Sequence, residues 1–546
     1  MKLVSIAEMQ AIEREANAAG WTYDQMMQCA GIGLAEVVHQ EFGGLRGRGV
    51  VGLVGSGNNG GDTLVALTWL AGQGWPAAAY IVRPRPMDDP LMLDLQKNGG
   101  NIITAEKDPE MNTLSELVAH HAVLLDGILG TGISLPLKAE VARVLRHVRS
   151  HLAAGDPAPV VVAVDCPSGV NCDTGEAAED CCIPARITVT MAAIKQGLLR
   201  FPAFDYVGEL RVVGIGLPNG GEGLASWRSI SKSVIDADVA SQTLPDRPKN
   251  AHKGTFGTAF IIAGSLAYTG AAGLAAEAAY RIGAGLVTLG SPLGVHRAIA
   301  GQLPEVTWRI LTDQDGFIAF EAVEAAIDQS RTASAILVGP GLGLQRTTGQ
   351  FMEYLLRRIK TTKRNIPLVI DADGLKHLAS LKSWPVALPP GAVLTPHPGE
   401  MSVLTGLAKD EIQSKRQEIA LKYSQEWGTV VVLKGAFTVI ASPDGRLSVI
   451  PVATPALARA GTGDVLAGLI VGLRAQGIAE YEAATCSAWI HAQAGLAAAR
   501  QLGNEASVLA SDVLRLCTSV LSELISKKNA TKRTDIKNEP DPFLSQ

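Results

Sequence analysis

The chain has 546 residues, room for two to four domains at about 100–200 residues each. Apolar residues make up 47% and charged ones 18%, enough for packed cores and too little charge for general disorder. A net charge of −5, from 48 basic and 53 acidic residues, argues against nucleic acid or an anionic membrane as the main partner.

No apolar run approaches the ~18 residues of a membrane-crossing helix. The opening residues MKLVSIAEMQAIERE carry charges where a secretory segment needs an apolar stretch. Ser5 and Glu8 instead read as a capping box, predicting a helix with Met9, Ile12 and Ala16 on one face. Seven cysteines, an odd and sparse count, fit a reducing cytoplasm better than a disulfide framework, so a cytoplasmic location is expected.

Short β-branched runs alternate with longer Ala/Leu-rich stretches, which predicts an α/β fold of parallel sheets with crossover helices. In chain order the first strands are expected at Val50–Val54, Ala79–Val82, Ala122–Leu125, Val160–Val164 and Ile187–Thr190. A second series follows at Ala259–Ile262, Leu286–Leu289, Ala335–Val338, Leu368–Ile370 and Val430–Leu433. Their near-continuous apolarity suits strands covered on both faces. The turn-rich, then polar, stretch Pro218–Pro248 separates the series, with a boundary near residue 240. The expected division is a domain at 1–225, a linker at 226–245, a domain at 246–525 and a disordered tail at 526–546.

Val50–Val54 runs into Gly55-Ser56-Gly57-Asn58-Asn59-Gly60-Gly61-Asp62, followed by Leu64, Leu67 and Leu70 at helical spacing. Strand, glycine turn and helix start together form a cradle for anions. Gly55, Gly57 and Gly60 satisfy the dinucleotide pattern G-x-G-x-x-G, weak support by itself. That pattern wants an acidic residue after the next strand, and this chain has Arg83 and Arg85 there, suited to a 2′-phosphate or simply to a solvated loop. Asn58, Asn59 and Asp62 add oxygens that suit a hard cation or a sugar hydroxyl; the plainer reading makes them turn and helix caps. Two later strands end alike, in Asp126-Gly127-Ile128-Leu129-Gly130-Thr131-Gly132 and in Asp165-Cys166-Pro167-Ser168-Gly169. In a parallel sheet these ends converge on one crevice, where Asn59, Asp126 and Ser168 could share a cation and Asp165 could do acid/base work.

GNNGGD, LLDGILGTG, DCPSG and TVTMAAIKQGLL, in this order, resemble the epimerase half of the bacterial bifunctional NAD(P)H-hydrate repair family, over most of residues 1–220. The resemblance implies a Rossmann-like three-layer αβα sandwich with Asp165 as a catalytic residue. It implies a substrate site lined by Asn58, Asn59, Gly60, Gly61, Asp62, Gly130, Thr131, Gly132, Ile133, Ser134, Leu135, Pro136 and Asp165. It also implies a potassium ion at Asn59, Asp126 and Ser168. Thr63 departs from the pattern, standing where the family usually has a second glycine, and its Cβ is expected to tighten the turn. Cys166, Cys172, Cys181 and Cys182 depart too; their spacing matches no zinc pattern and reads as buried thiols.

In the second half, Ala460-Gly461-Thr462-Gly463-Asp464 precedes Val465, Leu466, Leu469, Ile470 and Leu473 at helical spacing. The glycines open amides at a helix start, and Asp464 can take a proton from a substrate hydroxyl beside a phosphoryl group; the plainer reading is an N-capping aspartate. His397, between two prolines and near Glu400, reads as a site residue, and Lys434-Gly435-Ala436-Phe437-Thr438 follows a strand where nucleotide phosphates would lie. GAAGLAAEAAYRIGAGLVTL, GPGLG, DADGL, LTPHPGE and AGTGDVLAGLIVGL resemble, in order over residues 245–520, the NAD(P)H-hydrate dehydratase branch of the ribokinase-like superfamily. This implies a ribokinase-like αβα domain with Asp464 catalytic and substrate contacts at Ala272, Gly341, His397 and Asp464. It implies ADP contacts at Lys434, Gly435, Ala436, Phe437, Thr438 and Gly463, with Mg2+ accompanying the ADP.

The two resemblances together imply repair of NADHX and NADPHX, the hydrated cofactors: epimerisation in the first half and ADP-dependent dehydration in the second. A homo-oligomer is the expected state. The alternative is an ATP-dependent kinase of a small alcohol fused to a nucleotide-sensing Rossmann-like module.

Overall fold

The computed structural model describes residues 1–154, 157–361 and 365–538. The chain forms two compact units that meet in sequence between Lys232 and Ser233. The first opens with β1 (Leu3–Val4) and the helix Ile6–Ala18, whose Ser5–Glu8 capping box and buried Met9, Ile12 and Ala16 are those expected. Its strands then follow as β2 (Val50–Val54), β3 (Ala77–Ile81), β4 (Asn101–Thr104), β5 (Val123–Gly127), β6 (Val160–Val164), β7 (Ile187–Met191), β8 (Ile194–Lys195) and β9 (Glu209–Val213). Seven of them make one parallel sheet in the order β4-β3-β2-β5-β6-β7-β9, while β1 pairs with β8.

Alternation along β2 shows the layers. Val50 and Val54 join a core that includes Leu34, Val38 and Leu67, whereas Val51 and Leu53 join one that includes Leu114, Leu145 and Val148. Helices therefore cover both faces, as a buried parallel sheet requires. The chain reverses direction across the sheet between β2 and β5, and ligands of such sheets bind at that reversal, outside the carboxyl ends of the strands.

The second unit carries β10 (Lys232–Val234), β11 (Thr258–Ile262), β12 (Leu286–Ser291), β13 (Thr307–Ile310), a small hairpin of β14 (Asp313–Gln314) and β15 (Phe317–Ile318), β16 (Ala335–Val338), β17 (Leu368–Ile370), β18 (Val393–Leu394), β19 (Val430–Leu433), β20 (Val439–Ala441) and β21 (Leu447–Val449). Its main sheet runs β10-β21-β20-β19-β18-β17-β16-β11-β12-β13. The stretch from β19 to β13 is parallel and repeats the strand order of the first unit, reversing between β11 and β16. The strands β20 and β21 extend it as an antiparallel meander. Ala259 and Ile261 face the helices Thr269–Arg281 and Thr462–Ala475 in one core.

Two expectations are corrected. Residues 226–245, read as a linker, hold the strand β10 and the helix Ala237–Thr243, capped by Asp236. Their polar run hides isolated anchors: Ile230 lies in the first core, and Ile235, Ala240 and Leu244 in the second. The helix Ala510–Asn538 runs through 526–538 of the expected disordered tail. It is seated by Leu514, Cys517, Val520 and Leu524 and prolonged by ion pairs of Lys527 with Asp238 and Lys528 with Asp246, a polar pattern without apolar period. Residues 539–546 of that tail lie outside the described residues.

Candidate active sites

At the reversal point of the first unit a cavity of about 500 Å³ opens. Strand ends supply one side, with Asn58, Asn59 and Asp62 after β2, Gly130, Thr131, Gly132 and Ile133 after β5, Asp165 after β6 and Lys195 in β8, and the helices Ile6–Ala18 and Tyr23–Phe42 supply the other with Met9, Glu13 and Met26. Of the other expected residues, Gly60 and Gly61 are turned into packing. A methyl at Gly60 would stand 2.1 Å from the Gly55 carbonyl oxygen, and one at Gly61 would meet Met27. Ser134 and Pro136 are exposed, and Leu135 lies outside the lining.

Asp165 adopts a left-handed backbone (φ 61°), rare for a non-glycine residue. Its Oδ1 accepts from the Thr190 hydroxyl and from the Met191 N–H, each at 3.0 Å, and from the Lys195 ammonium. Lys195 is 1% exposed and also donates to Thr190 Oγ1 at 3.1 Å and to the Met191 carbonyl at 2.9 Å. Burial raises the pKa of Asp62, reinforced by the charge of Asp165, and burial likewise raises that of Glu13. The cavity thus sets one anchored carboxylate against two whose pKa values burial pushes up. Sequence reasoning assigned no role to Lys195 or Glu13; a lysine inside the apolar run TMAAIKQGLL was the available signal.

Beneath the cavity floor, Asp126 is fully buried and accepts from the Ser168 hydroxyl at 2.5 Å and the Ser168 N–H at 2.8 Å; burial raises its pKa. The Ser168 hydroxyl accepts from the Leu129 N–H at 3.0 Å, and the Leu129 carbonyl accepts from Asn59 Nδ2 at 2.8 Å. These bonds bring Asn59, Asp126 and Ser168 into one cluster, and they leave Asn59 Oδ1 buried without a hydrogen-bond partner. Among the described residues no group of three His, Cys, Asp or Glu side chains is gathered for a metal. The donors here are amide, hydroxyl and carboxylate oxygens, a set suited to a hard cation.

Local readings of the glycine segment change as well. The helix Asn58–Gly72 begins at Asn58 with Gly57 as its N-cap, so Asp62 does not cap it. Thr63 is inside that helix rather than in the turn. It is fully buried, donates to the Asn59 carbonyl at 2.8 Å, and lies under two strand glycines: methyls at Gly52 and Gly127 would meet Thr63 at 2.7 and 1.9 Å. Cys166, Cys172 and Cys182 pack with Val170 and Leu198, while Cys181 joins the core under the helix Ala139–Ala154.

In the second unit the strand ends also converge. Asp371 follows β17, Thr395 to His397 follow β18, and Lys434 follows β19. Lys434 Nζ donates to Asp371 Oδ1 at 2.7 Å and lies 3.6 Å from Glu400 Oε2. Burial alone would lower the pKa of Lys434, but Asp371 and Glu400 outweigh it and raise it. The Thr395 hydroxyl donates to the same Asp371 oxygen at 2.6 Å, and Asp371 Oδ2 is buried without a hydrogen-bond partner.

The helix Thr462–Ala475 starts beside this lysine: a methyl on Gly463 would stand 3.3 Å from Lys434 Nζ. Gly461, its N-cap, sits at φ 93° and offers no side chain, so beyond the Thr462 N–H, which donates to the Arg459 carbonyl, the Gly463 and Asp464 amides are left to meet an anion. Asp464 is the third helical residue, not the cap. Burial pushes its pKa up to about 7, with the charges of Asp371, Asp373 and Glu400 adding to the rise and Lys434 opposing it. A carboxylate with that pKa can both take and hold a proton near neutrality.

His397 caps the helix Pro398–Thr405: Nδ1 accepts from the N–H groups of Gly399 at 2.9 Å and Glu400 at 3.2 Å. Its Nε2 is 3.4 Å from Glu400 Oε1, its side chain is half exposed, and burial lowers its pKa. Gly341 (φ 62°) accepts from the Ser265 hydroxyl and lies against Tyr268 and Ala271. Ala272 has no exposed surface and packs on Gly264, so the structure does not present it to the crevice. In the segment after Lys434, Gly435 and Ala436 are exposed, Phe437 is buried, and the Thr438 hydroxyl donates to the Gly435 carbonyl. Behind it, Arg416 donates to the carbonyls of Leu433 at 2.8 Å and Lys434 at 3.2 Å, and burial pulls its pKa down to about 10. Asp371 and Arg416 received no role from sequence.

Fold and sites together define a two-domain α/β enzyme with a polar crevice and a glycine-started helix in each domain. Residues 259–518 match the NAD(P)H-hydrate dehydratase family, and residues 23–197 match the YjeF-related protein N-terminus family. The chain is 34% identical over 534 residues to the bifunctional NAD(P)H-hydrate repair enzyme of Moorella thermoacetica, covering 96% of this chain and 97% of that one. It is 36% identical over 518 residues to that of Salinibacter ruber, covering 91% and 92%. The ADP/ATP-dependent NAD(P)H-hydrate dehydratase of Bacillus subtilis, co-crystallised with ATP and Mg2+, is 32% identical and covers 54% of this chain and 98% of its own, at a TM-score of 0.46. The chain belongs to the family of bifunctional NAD(P)H-hydrate repair enzymes.

Proposed function

We propose that the first unit interconverts the R and S epimers of NADHX and NADPHX and that the second regenerates NAD(P)H from the S epimer at the expense of ADP. The substrate is a nicotinamide ring that has added water next to its nitrogen, so the hydroxyl belongs to a carbinolamine. Its configuration is lost when the hydroxyl leaves or the ring opens, and is reset when the bond re-forms on the other face. Asp165, held by Thr190, Met191 and Lys195, is the positioned acid/base for that exchange. Asn59, Asp126 and Ser168 would hold a potassium ion, and the orphaned Asn59 Oδ1 beside the buried Asp126 carboxylate supports this fit. Bound there, potassium supplies positive charge under the cavity floor.

Hydroxide leaves poorly, so dehydration is eased by first making the hydroxyl a phosphate ester. Asp464 takes the hydroxyl proton as the oxygen attacks the terminal phosphoryl of ADP, AMP departs, and loss of phosphate from the ester restores the dihydronicotinamide ring. The start of the helix Thr462–Ala475 and Lys434 face the phosphoryl charge; Gly435, Ala436 and Thr438 would take the rest of the nucleotide, and Gly341 and His397 the substrate. Asp371, whose Oδ2 has no hydrogen-bond partner, would hold the magnesium accompanying the nucleotide, which would neutralise the phosphate charge there.

The observation that carries this reading is Asp464, tuned to about 7 at an uncapped helix start beside Lys434. The test is incubation of the full chain with mixed NADHX epimers, following absorbance of the reduced ring. With ADP the expected recovery is complete, with AMP and phosphate released; without ADP the epimers exchange and no NADH forms. A stable phosphorylated product, or no NADH with either ADP or ATP, overturns it.

A further inference from the structure

We infer that Arg83 binds a phosphate group of the dinucleotide substrate from the wall of the epimerase cavity. The inference rests on the preceding reading of that cavity. Arg83 stands two residues beyond β3, the strand paired in parallel with the glycine-loop strand β2. In doubly wound sheets this position meets the ribose that carries the 2′ substituent, and a cation there accommodates a 2′-phosphate.

Two arginines follow β3, and the structure separates their roles. Arg85 is committed to the scaffold: it pairs with Asp89 at 2.6 Å and donates to the carbonyls of Gly55 at 2.9 Å and Gly57 at 3.4 Å. Arg83 lines the cavity and, among the described residues, makes no ion pair or hydrogen bond. The other basic side chain of the lining, Lys195, is already paired with Asp165. Ser56, Gly57 and Asn58, at the uncapped start of a 15-residue helix, line the same cavity. An unpaired guanidinium and free helix-start amides facing one cavity suit a phosphate oxyanion. The substrates offer two such groups: the bridging diphosphate, common to both, and the 2′-phosphate, present only in NADPHX.

The test uses the full chain without ADP, so that dehydration is silent, and follows epimer interconversion by chromatography over a range of NADHX and NADPHX concentrations. Arg83→Ala is expected to raise KM about tenfold with kcat changing far less, and Arg83→Lys to recover part of the loss. A rise for NADPHX alone assigns the 2′-phosphate; an equal rise for both assigns the diphosphate. Unchanged KM for both substrates overturns the inference while leaving the epimerase reading intact. A wild-type chain that interconverts neither pair of epimers removes the reading on which the inference stands.

Discussion

Lys195 and Asp165, thirty residues apart in sequence, form an ion pair whose ammonium is buried and whose carboxylate faces the cavity. The pair joins the end of β6 to β8 and holds Asp165 in its left-handed conformation, a backbone cost of order 1–3 kcal/mol that its three partners offset.

Asp165→Asn therefore does two separable things. It strands the Lys195 charge without a counter-ion, a loss of about 3–5 kcal/mol for a buried pair broken on one side. It also removes the acid/base group, lowering epimer interconversion by roughly 100-fold or more. Adding Lys195→Met should restore much of the stability, read by denaturant unfolding, and none of the epimerisation.

Asp464 makes the opposite prediction for stability. Its pKa rises from 3.8 in the unfolded chain to about 7 in the fold, so the folded state favours the protonated form. The stabilisation this gives is complete below pH 4 and is lost as pH rises through 7. Asp464→Asn should abolish ADP-dependent NADH recovery yet unfold at higher denaturant than wild type above pH 7, by up to about 4 kcal/mol, with no difference near pH 4. In the wild type, kcat/KM for dehydration should fall about tenfold per pH unit below 7.

Potassium should raise the melting temperature of the wild type relative to tetramethylammonium at equal ionic strength. Asn59→Ala, which deletes the orphaned oxygen, should erase that rise and slow epimerisation. Equal potassium stabilisation in wild type and variant would remove the cation from this cluster.

Arg416 ties down Leu433 and Lys434, just before the exposed segment, by donating from Nη2 to both carbonyls while Nη1 donates to Gln413 Oε1, a span of two nitrogens that lysine cannot reproduce. Arg416→Lys should raise KM for ADP about tenfold with a smaller change in kcat, and should weaken the thermal stabilisation that ADP confers.

The strand ends that build both sites were legible because buried parallel strands read as apolar runs and glycine turns mark where they stop. The strands β4 and β9 were not, since edge strands face solvent: Asn101 and Glu209 are exposed and most of their neighbours half-buried. The meander of β20 and β21 was missed because three-residue strands are too short for any period to register. Asp165, Asp464 and His397 could be singled out by local chemistry. Lys195 and Asp371 act through partners far along the chain, at separations of 30 and 63 residues, and no spacing rule reaches that far. His397 shows the reverse case, a residue whose capping role is wholly local and whose neighbours Gly399 and Glu400 already spell it out.

Thr63 fits only because two neighbouring strands carry no side chain at Gly52 and Gly127. The three positions are thus epistatic: threonine grafted into a homologue with bulkier strand residues has nowhere to go, and glycine at 63 here leaves a void beneath the sheet. An evolutionary path to this helix must clear the strands first, so ancestral sequences on the way should show the strand glycines before the hydroxyl.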